Sequence, residues 1–264
     1  MHIQRGAWAE INLDAVAHNV QMAKGNLKPT TKLCAVVKAD AYGHGAVRVA
    51  QEAARNGADF FAVALLQEGV KLREAGIETP ILVLGSMLPE VAEICVRYDI
   101  SHAVFDEERL YALNAAALKL HTKAKIHIKI DTGMHRIGVH VRDAGRFAKL
   151  AASLPGIYIE GVFSHFATAD ADDKQYAAYQ FERFQEALRL IEAEGVHIPI
   201  RHIANSAALT ELQEYQLDMV RQGITLYGLH PAHMIDCYKD FEPVMTVKTQ
   251  VAFVKTLPPG ETIG

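Results

Sequence analysis

The stretch LCAVVKADAYGHGA, from Leu33 to Ala46, sets a short apolar run directly against a lysine. Leu33, Cys34, Ala35, Val36 and Val37 read as a buried strand, because parallel strands covered on both faces are near-continuous apolar runs. Lys38 closes the run, Gly43 and Gly45 mark a turn, and a helical pattern begins near Val47. The same order recurs along the chain. DFFAVAL, PILVLG, HAVFD, KIHIKID, IYIEGVFSHF, IRHIANSA and MVRQGITLYG are further apolar runs, separated by amphipathic stretches such as AVRVAQEAARNG and YQFERFQEALRLIEAEG. Several helical stretches close on glycine, at Gly57, Gly76 and Gly195, as helix C-termini do. Strand and helix in alternation imply parallel pairing with right-handed crossovers, and a count of eight runs closes a barrel.

The size fits. The chain has 264 residues, a formal net charge of −4 and 50% hydrophobic residues, and single α/β barrels commonly run to about 250 residues. No basic stripe points to nucleic acid, and no apolar stretch approaches the roughly 18 residues of a membrane helix. The opening MHIQRGAWAEINLD carries charge where a signal peptide needs an apolar core. Cys34, Cys95 and Cys237 are widely spaced, without metal-ligand spacing, and fit a reducing cytoplasm. Cys34, inside an apolar run, reads as a small buried hydrophobe.

Both ends depart from the pattern. WAEINL reads as a strand preceding the first helix, with Asp14 as its N-cap. After Pro231 the run MTVKTQVAFVKTL alternates without a helix to follow, which is antiparallel β texture. The expected organisation is therefore an α/β chain with a (β/α)8 barrel over residues 13–230. Residues 231–264 would begin a second, β-rich domain, and residues 1–12 a strand associated with it.

Barrel active sites lie at the carboxyl ends of the strands. Those ends carry Lys38 and Tyr42 on the first, Lys129, Asp131 and Arg136 around the fifth, and Ser164 and His165 on the sixth. The seventh carries Asn205 and Ser206, and the eighth Arg221, Gly223 and Ile224. A lysine at such a position is either a Schiff-base amine, neutral through desolvation, or a long stem reaching the rim. Arg136 and Arg221 would share one mouth with Lys38, a concentration of positive charge that calls for an anionic ligand. Ser206, Gly223 and Ile224 sit where barrels often hold phosphate, or form a polar cap on a buried loop. His165 reads as support for Arg221, whereas His127 and His202 read as core histidines. His135 and His140 flank a turn, and ATADADDKQ reads as a solvated loop rather than a calcium loop.

These residues closely resemble alanine racemase. AVVKADAYGHGA is similar to that family's pyridoxal-phosphate lysine motif, and IKIDTGMHRIG, EGVFSHFATAD, HIANSAA and VRQGITLYG follow in order. WAEINLDAVAHNV resembles the family's opening, so the likeness covers the whole chain. The resemblance implies a fold type III, pyridoxal 5'-phosphate-dependent isomerase that interconverts L- and D-alanine in the cytoplasm, as a homodimer, and supplies D-alanine for peptidoglycan. Lys38 would hold the cofactor as an imine and serve as one base. Tyr42, Ser206, Gly223 and Ile224 would bind its phosphate, and Asn205 would be a further cofactor-binding residue. Arg221, bonded to His165, would face the pyridine nitrogen, and Arg136 the phenolic oxygen and the substrate carboxylate. Lys129 matches a position carbamylated in some relatives.

The family's second acid/base is a tyrosine in a YG motif after GET; here PPGETIG ends the sequence. The expectation is a chain truncated before that motif, inactive alone as a racemase. Two other readings stand beside this one. A non-catalytic pyridoxal-phosphate carrier barrel would end near the eighth strand, without the β texture after Pro231. A Schiff-base aldolase would need no cofactor and lack the absorbance of a bound pyridoxal imine.

Overall fold

The computed structural model describes residues 6–231 and 238–264, so Cys237 lies outside the described residues. The chain opens with β1 (Ala7–Ile11), α1 (Leu13–Gly25), β2 (Lys32–Val36), a short turn α2 (Lys38–Tyr42) and α3 (Ala46–Arg55). It continues through β3 (Phe60–Val63), α4 (Leu66–Glu74), β4 (Ile81–Val83), α5 (Ala92–Arg97), β5 (Ser101–Val104) and α6 (Glu107–Lys119). Then come β6 (Ala124–Asp131), β7 (Val139–His140), α7 (Ala144–Ser153), β8 (Ile157–Phe163) and α8 (Gln175–Ala193). β9 (Ile200–His202), α9 (Ser206–Glu211), β10 (Met219–Gln222) and β11 (Met245–Thr249) complete it.

All eight apolar runs become parallel strands, in the order β10-β2-β3-β4-β5-β6-β8-β9. Two backbone bonds of 3.1 Å, Asp218 N–H to Arg201 O and Arg221 N–H to Ala204 O, draw the last edge towards the first. The result is a nearly closed (β/α)8 barrel. Alternation along each strand sorts the side chains. Leu33, Ala35, Phe61, Val63, Ile81 and Val83 pack outward, in one core with buried helix residues such as Val49, Ala50 and Ala53. Cys34, Val36, Phe60, Ala62, Leu82, Ile200 and Met219 form a separate inner cluster. The remainder of the lumen is polar: His127, Lys129, His202 and Arg221 are all buried.

One irregularity shapes that polar half. Ile126 pairs with Ile159 but His127 with Gly161, so Glu160 is an extra residue in β8. Such a bulge re-aims side chains. A Cβ on Gly161 would lie 2.4 Å from His127 Nδ1, so only glycine admits the imidazole there.

The ends differ in part from the sequence reading. The N-cap of α1 is Asn12, whose side chain accepts from the N–H groups of Asp14 and Ala15. Asp14 instead stands in the first turn, where its charge meets the positive end of the helix dipole. β1 pairs antiparallel with β11 in a two-stranded sheet apart from the barrel. Strand structure covers only Met245–Thr249 of the alternating run, and no ladder orders residues 250–257. A buried clamp joins the segment before β11 to the barrel. Asn19 donates to Leu226 O and Glu242 O and accepts from Glu242 N–H. Among the described residues, no helix is long and apolar enough to cross a membrane.

Candidate active site

The chain leaves β2 by an uncommon route. Ala39, Asp40, Ala41 and Tyr42 have φ of 51°, 52°, 56° and 53°, and Gly43 follows at 84°. A left-handed run of L-residues costs roughly 1–2 kcal/mol per residue, because Cβ crowds the following carbonyl. Its neighbours hold it. Glu68 takes the Ala39 N–H at 2.5 Å on one carboxylate oxygen and the N–H groups of Ala64 and Leu65 on the other. Asp40 accepts from Ala46 N–H and from Lys71. The Tyr42 ring lies 4.9 Å from that of Tyr227, whose hydroxyl donates to Val36 O. The turn carries Lys38 and Tyr42 to the mouth, with Lys38 Nζ 5.8 Å from the Tyr42 ring centre.

They face a cavity of about 620 Å³. The ten residues that the family resemblance implicates line it: Lys38, Tyr42, Lys129, Arg136, His165, Asn205, Ser206, Arg221, Gly223 and Ile224; Asp131 and Ser164, also at strand ends, do not. They arrive from five different strand ends. Ser206 Oγ accepts the Gly223 N–H at 2.8 Å, which leaves its hydroxyl hydrogen for an acceptor. Burial raises the Tyr42 pKa, keeping that hydroxyl a donor as well. Asn205 N-caps α9 by accepting from Ala208 N–H. Hydroxyl donors at one end and cations around the rest make a receptacle for an anionic, ring-sized group.

Arg221 is buried, and burial lowers its pKa to about 10. Its Nη1 donates to His202 Nδ1 at 2.8 Å. Its Nη2 donates to Ser164 O, Ile203 O and His165 Nδ1, the last at 3.0 Å. Burial, reinforced by the Arg221 charge, drives the pKa values of His165 and His202 well below the usual histidine value. Both rings therefore stay neutral and can accept.

Sequence reasoning missed two features. Phe163, not singled out, stacks on His202 at 5.0 Å with 8° between planes, with Lys129 Nζ and Arg221 Cζ 5.2 and 5.4 Å from its ring centre. An aromatic face stabilises cations by its quadrupole, but one phenylalanine among ten in a sequence gives no such signal. The second is the burial of Lys129, whose amine donates only to Ile130 O among the described partners. Desolvation, then the charges of Arg221 and Arg136, outweigh Asp131 and bring its pKa from 10.5 to about 7.

A measurable consequence follows for stability. Between about pH 7 and 10.5 the unfolded lysine binds a proton that the folded one does not, so stability rises with pH there. In urea titrations in carbon-dioxide-free buffer from about pH 7 to 8, below the ordinary thiol pKa, the chain should gain up to about 1.4 kcal/mol per pH unit. Lys129→Met should flatten the profile. An equal slope in that variant would assign the gain to another group.

The comparisons with known proteins agree with this geometry. Residues 11–231 match the model of the alanine racemase N-terminal domain. The chain is 46% identical over 256 residues to alanine racemase of Desulfovibrio desulfuricans, covering 97% of this chain and 69% of that protein. It is 44% identical over 261 residues to that of Halothermothrix orenii, covering 99% and 69%. Alanine racemase of Clostridium difficile 630 superposes with a TM-score of 0.94 at 38% identity, over 100% of this chain and 69% of that one. The Bacillus anthracis enzyme with bound L-Ala-P gives a TM-score of 0.92 at 36% identity, over 100% and 69%. With five strand ends delivering the expected residues to one cavity and relatives at this level of identity, the chain belongs to the alanine racemase family, and residues 11–231 are its N-terminal barrel domain.

Proposed function

We propose that the cavity binds pyridoxal 5'-phosphate and alanine, and that this chain provides the lysine-side half of alanine racemisation. The convergence of all ten residues on one cavity carries the reading. The donor set fits the group: hydroxyls of Tyr42 and Ser206, beside a side-chain-free Gly223, suit a phosphate. A Cβ on Gly223 would come within 3.4 Å of the Tyr42 hydroxyl and 3.7 Å of Ser206 Oγ, narrowing that end. Ile224 and Asn205 border the same end.

Bound there, the cofactor withdraws electrons from the substrate α-carbon. The remaining work falls to side chains. Lys38 would hold the cofactor covalently, and its amine, once free, would take or return the α-hydrogen on its own face. Arg221, locked as a donor by His165 and His202, offers the ring nitrogen a hydrogen bond and cannot accept its proton. Arg136 would orient the phenolic oxygen and the substrate carboxylate. Lys129, with its lowered pKa, has the free amine that reacts with carbon dioxide, and a carbamate there would be an anionic partner for Arg136 among several cations. The family further suggests a homodimer, a cytoplasmic setting and D-alanine supply for peptidoglycan. The β1–β11 pairing supports reading residues 1–12 and 231–264 as parts of one β-rich unit beside a barrel over residues 13–230. No observation favours a non-catalytic carrier.

Borohydride reduction of the cofactor-loaded protein, followed by peptide mapping, tests the assignment. The adduct should lie on Lys38. Label on Lys129, or none at saturating cofactor, would overturn it.

A further inference from the structure

Arg221 poses an electrostatic question that its own contacts leave open. It is a buried cation, yet among the described residues no carboxylate lies within ion-pair distance of it. Its partners are two imidazole nitrogens and two carbonyls. The nearest route to a carboxylate runs away from the cavity, through the polar half of the lumen. His202 Nε2 lies 2.9 Å from His127 Nδ1, and His127 Nε2 lies 3.0 Å from Glu160 Oε2. Ser101 Oγ donates to the same oxygen at 2.5 Å. Both imidazoles are fully buried, and the Glu160 side chain is 12% exposed.

The direction of every bond in this chain is fixed by its ends. A guanidinium only donates, so His202 Nδ1 must accept and its proton sits on Nε2. That N–H points at His127 Nδ1, which must therefore accept, placing the His127 proton on Nε2. That proton in turn needs an acceptor, which the Glu160 carboxylate provides. Reversing one link would set two donors against each other. The β8 bulge supplies the terminus: Glu160 is the inserted residue at the shift in register. Gly161 leaves the space that His127 occupies.

We propose that Glu160, outside the residues lining the cavity, is a positioning residue that fixes the tautomers of His127 and His202 and so holds Arg221 as an oriented donor. A buried link of this kind rewards full satisfaction and penalises a gap. Its bearing on catalysis rests on the role of Arg221 proposed above; the tautomers themselves do not depend on any ligand.

Long-range proton–nitrogen NMR on the cofactor-free chain, with nitrogen-15 histidine and arginine, decides the matter. Both His127 and His202 are expected to carry their proton on Nε2. Glu160→Gln, whose amide oxygen still accepts, should keep that pattern. Glu160→Leu should move or average the His127 proton and speed exchange of the Arg221 side-chain protons about tenfold or more, the loss of one buried hydrogen bond. A His127 proton on Nδ1 in the unsubstituted protein would overturn the proposal, and that spectrum is decisive even if the leucine variant does not fold. Unchanged spectra in a folded Glu160→Leu would overturn it too. In the loaded enzyme, activity lost in the leucine variant and restored in the glutamine variant would separate positioning from a general loss of stability. Failure of Glu160→Gln to restore the tautomers would count against it.

Discussion

Alanine in place of Lys38 is expected to abolish exchange of the alanine α-hydrogen with deuterated solvent, by roughly 1,000-fold or more, in protein saturated with pyridoxal 5'-phosphate. General acid–base transfer alone contributes on the order of 100- to 10,000-fold, and the covalent role of the amine is lost with it. Lys38→Arg should fare no better, since an arginine keeps the charge but never offers a free amine at neutral pH. A small added amine should restore part of the exchange in Lys38→Ala by entering the space the side chain leaves. Mass spectrometry of recovered alanine measures all three. Exchange persisting in the alanine variant would move the base elsewhere, with Lys129, whose pKa is brought to about 7, the first residue to examine.

Arg221→Glu should change the outcome of the reaction as well as its speed. A carboxylate beside a pyridine nitrogen holds a proton there and strengthens the electron sink. The negative charge developing at the α-carbon is then spread further, persists longer, and has more time to be reprotonated at the wrong atom. In an enzyme completed with the second acid/base, racemisation should fall by about 100-fold, comparable to removing one preorganised donor, while the ratio of transamination to racemisation rises. The substitution also reverses local hydrogen bonding. Ser164 O and Ile203 O lose their donor, and His165 and His202 must turn from acceptors into donors. Arg221→Gln, which keeps an N–H donor without bringing a charge, separates these effects: it should lose rate without gaining transamination. An unchanged product ratio in Arg221→Glu would leave the arginine with a structural role only.

The sequence was most informative where local chemistry and burial agree. Strands covered on both faces are rich in apolar residues, so all eight were visible as runs, and residues at five of their carboxyl ends met in one cavity for topological reasons. It was least informative where tertiary contacts overrule local preference. Nothing in Ala39, Asp40 or Ala41 announces positive φ; that geometry is imposed by Glu68, nearly thirty residues later, and by Tyr227 far along the chain. Strict alternation in β8 would not place both Glu160 and Phe163 on one face, and the bulge that permits it depends on His127 from another strand. Asp14 lost the capping role to Asn12 because both are good caps two residues apart, and only the chain's path into α1 chooses between them.

The left-handed run from Ala39 to Gly43 also bears on efforts to breed heat tolerance into this barrel. Glycine occupies that conformation without the Cβ clash, so glycine at positions 39 to 41 would relieve roughly 1–2 kcal/mol each. About half would be lost again to the greater freedom of the unfolded chain. Selection on melting temperature alone would therefore be drawn towards these positions. Yet it is the stiffness of three ordinary L-residues, clamped in an arrangement they do not favour, that leaves the lysine amine one place to stand. A lineage selected for endurance would drift towards a sturdier barrel with a wandering amine.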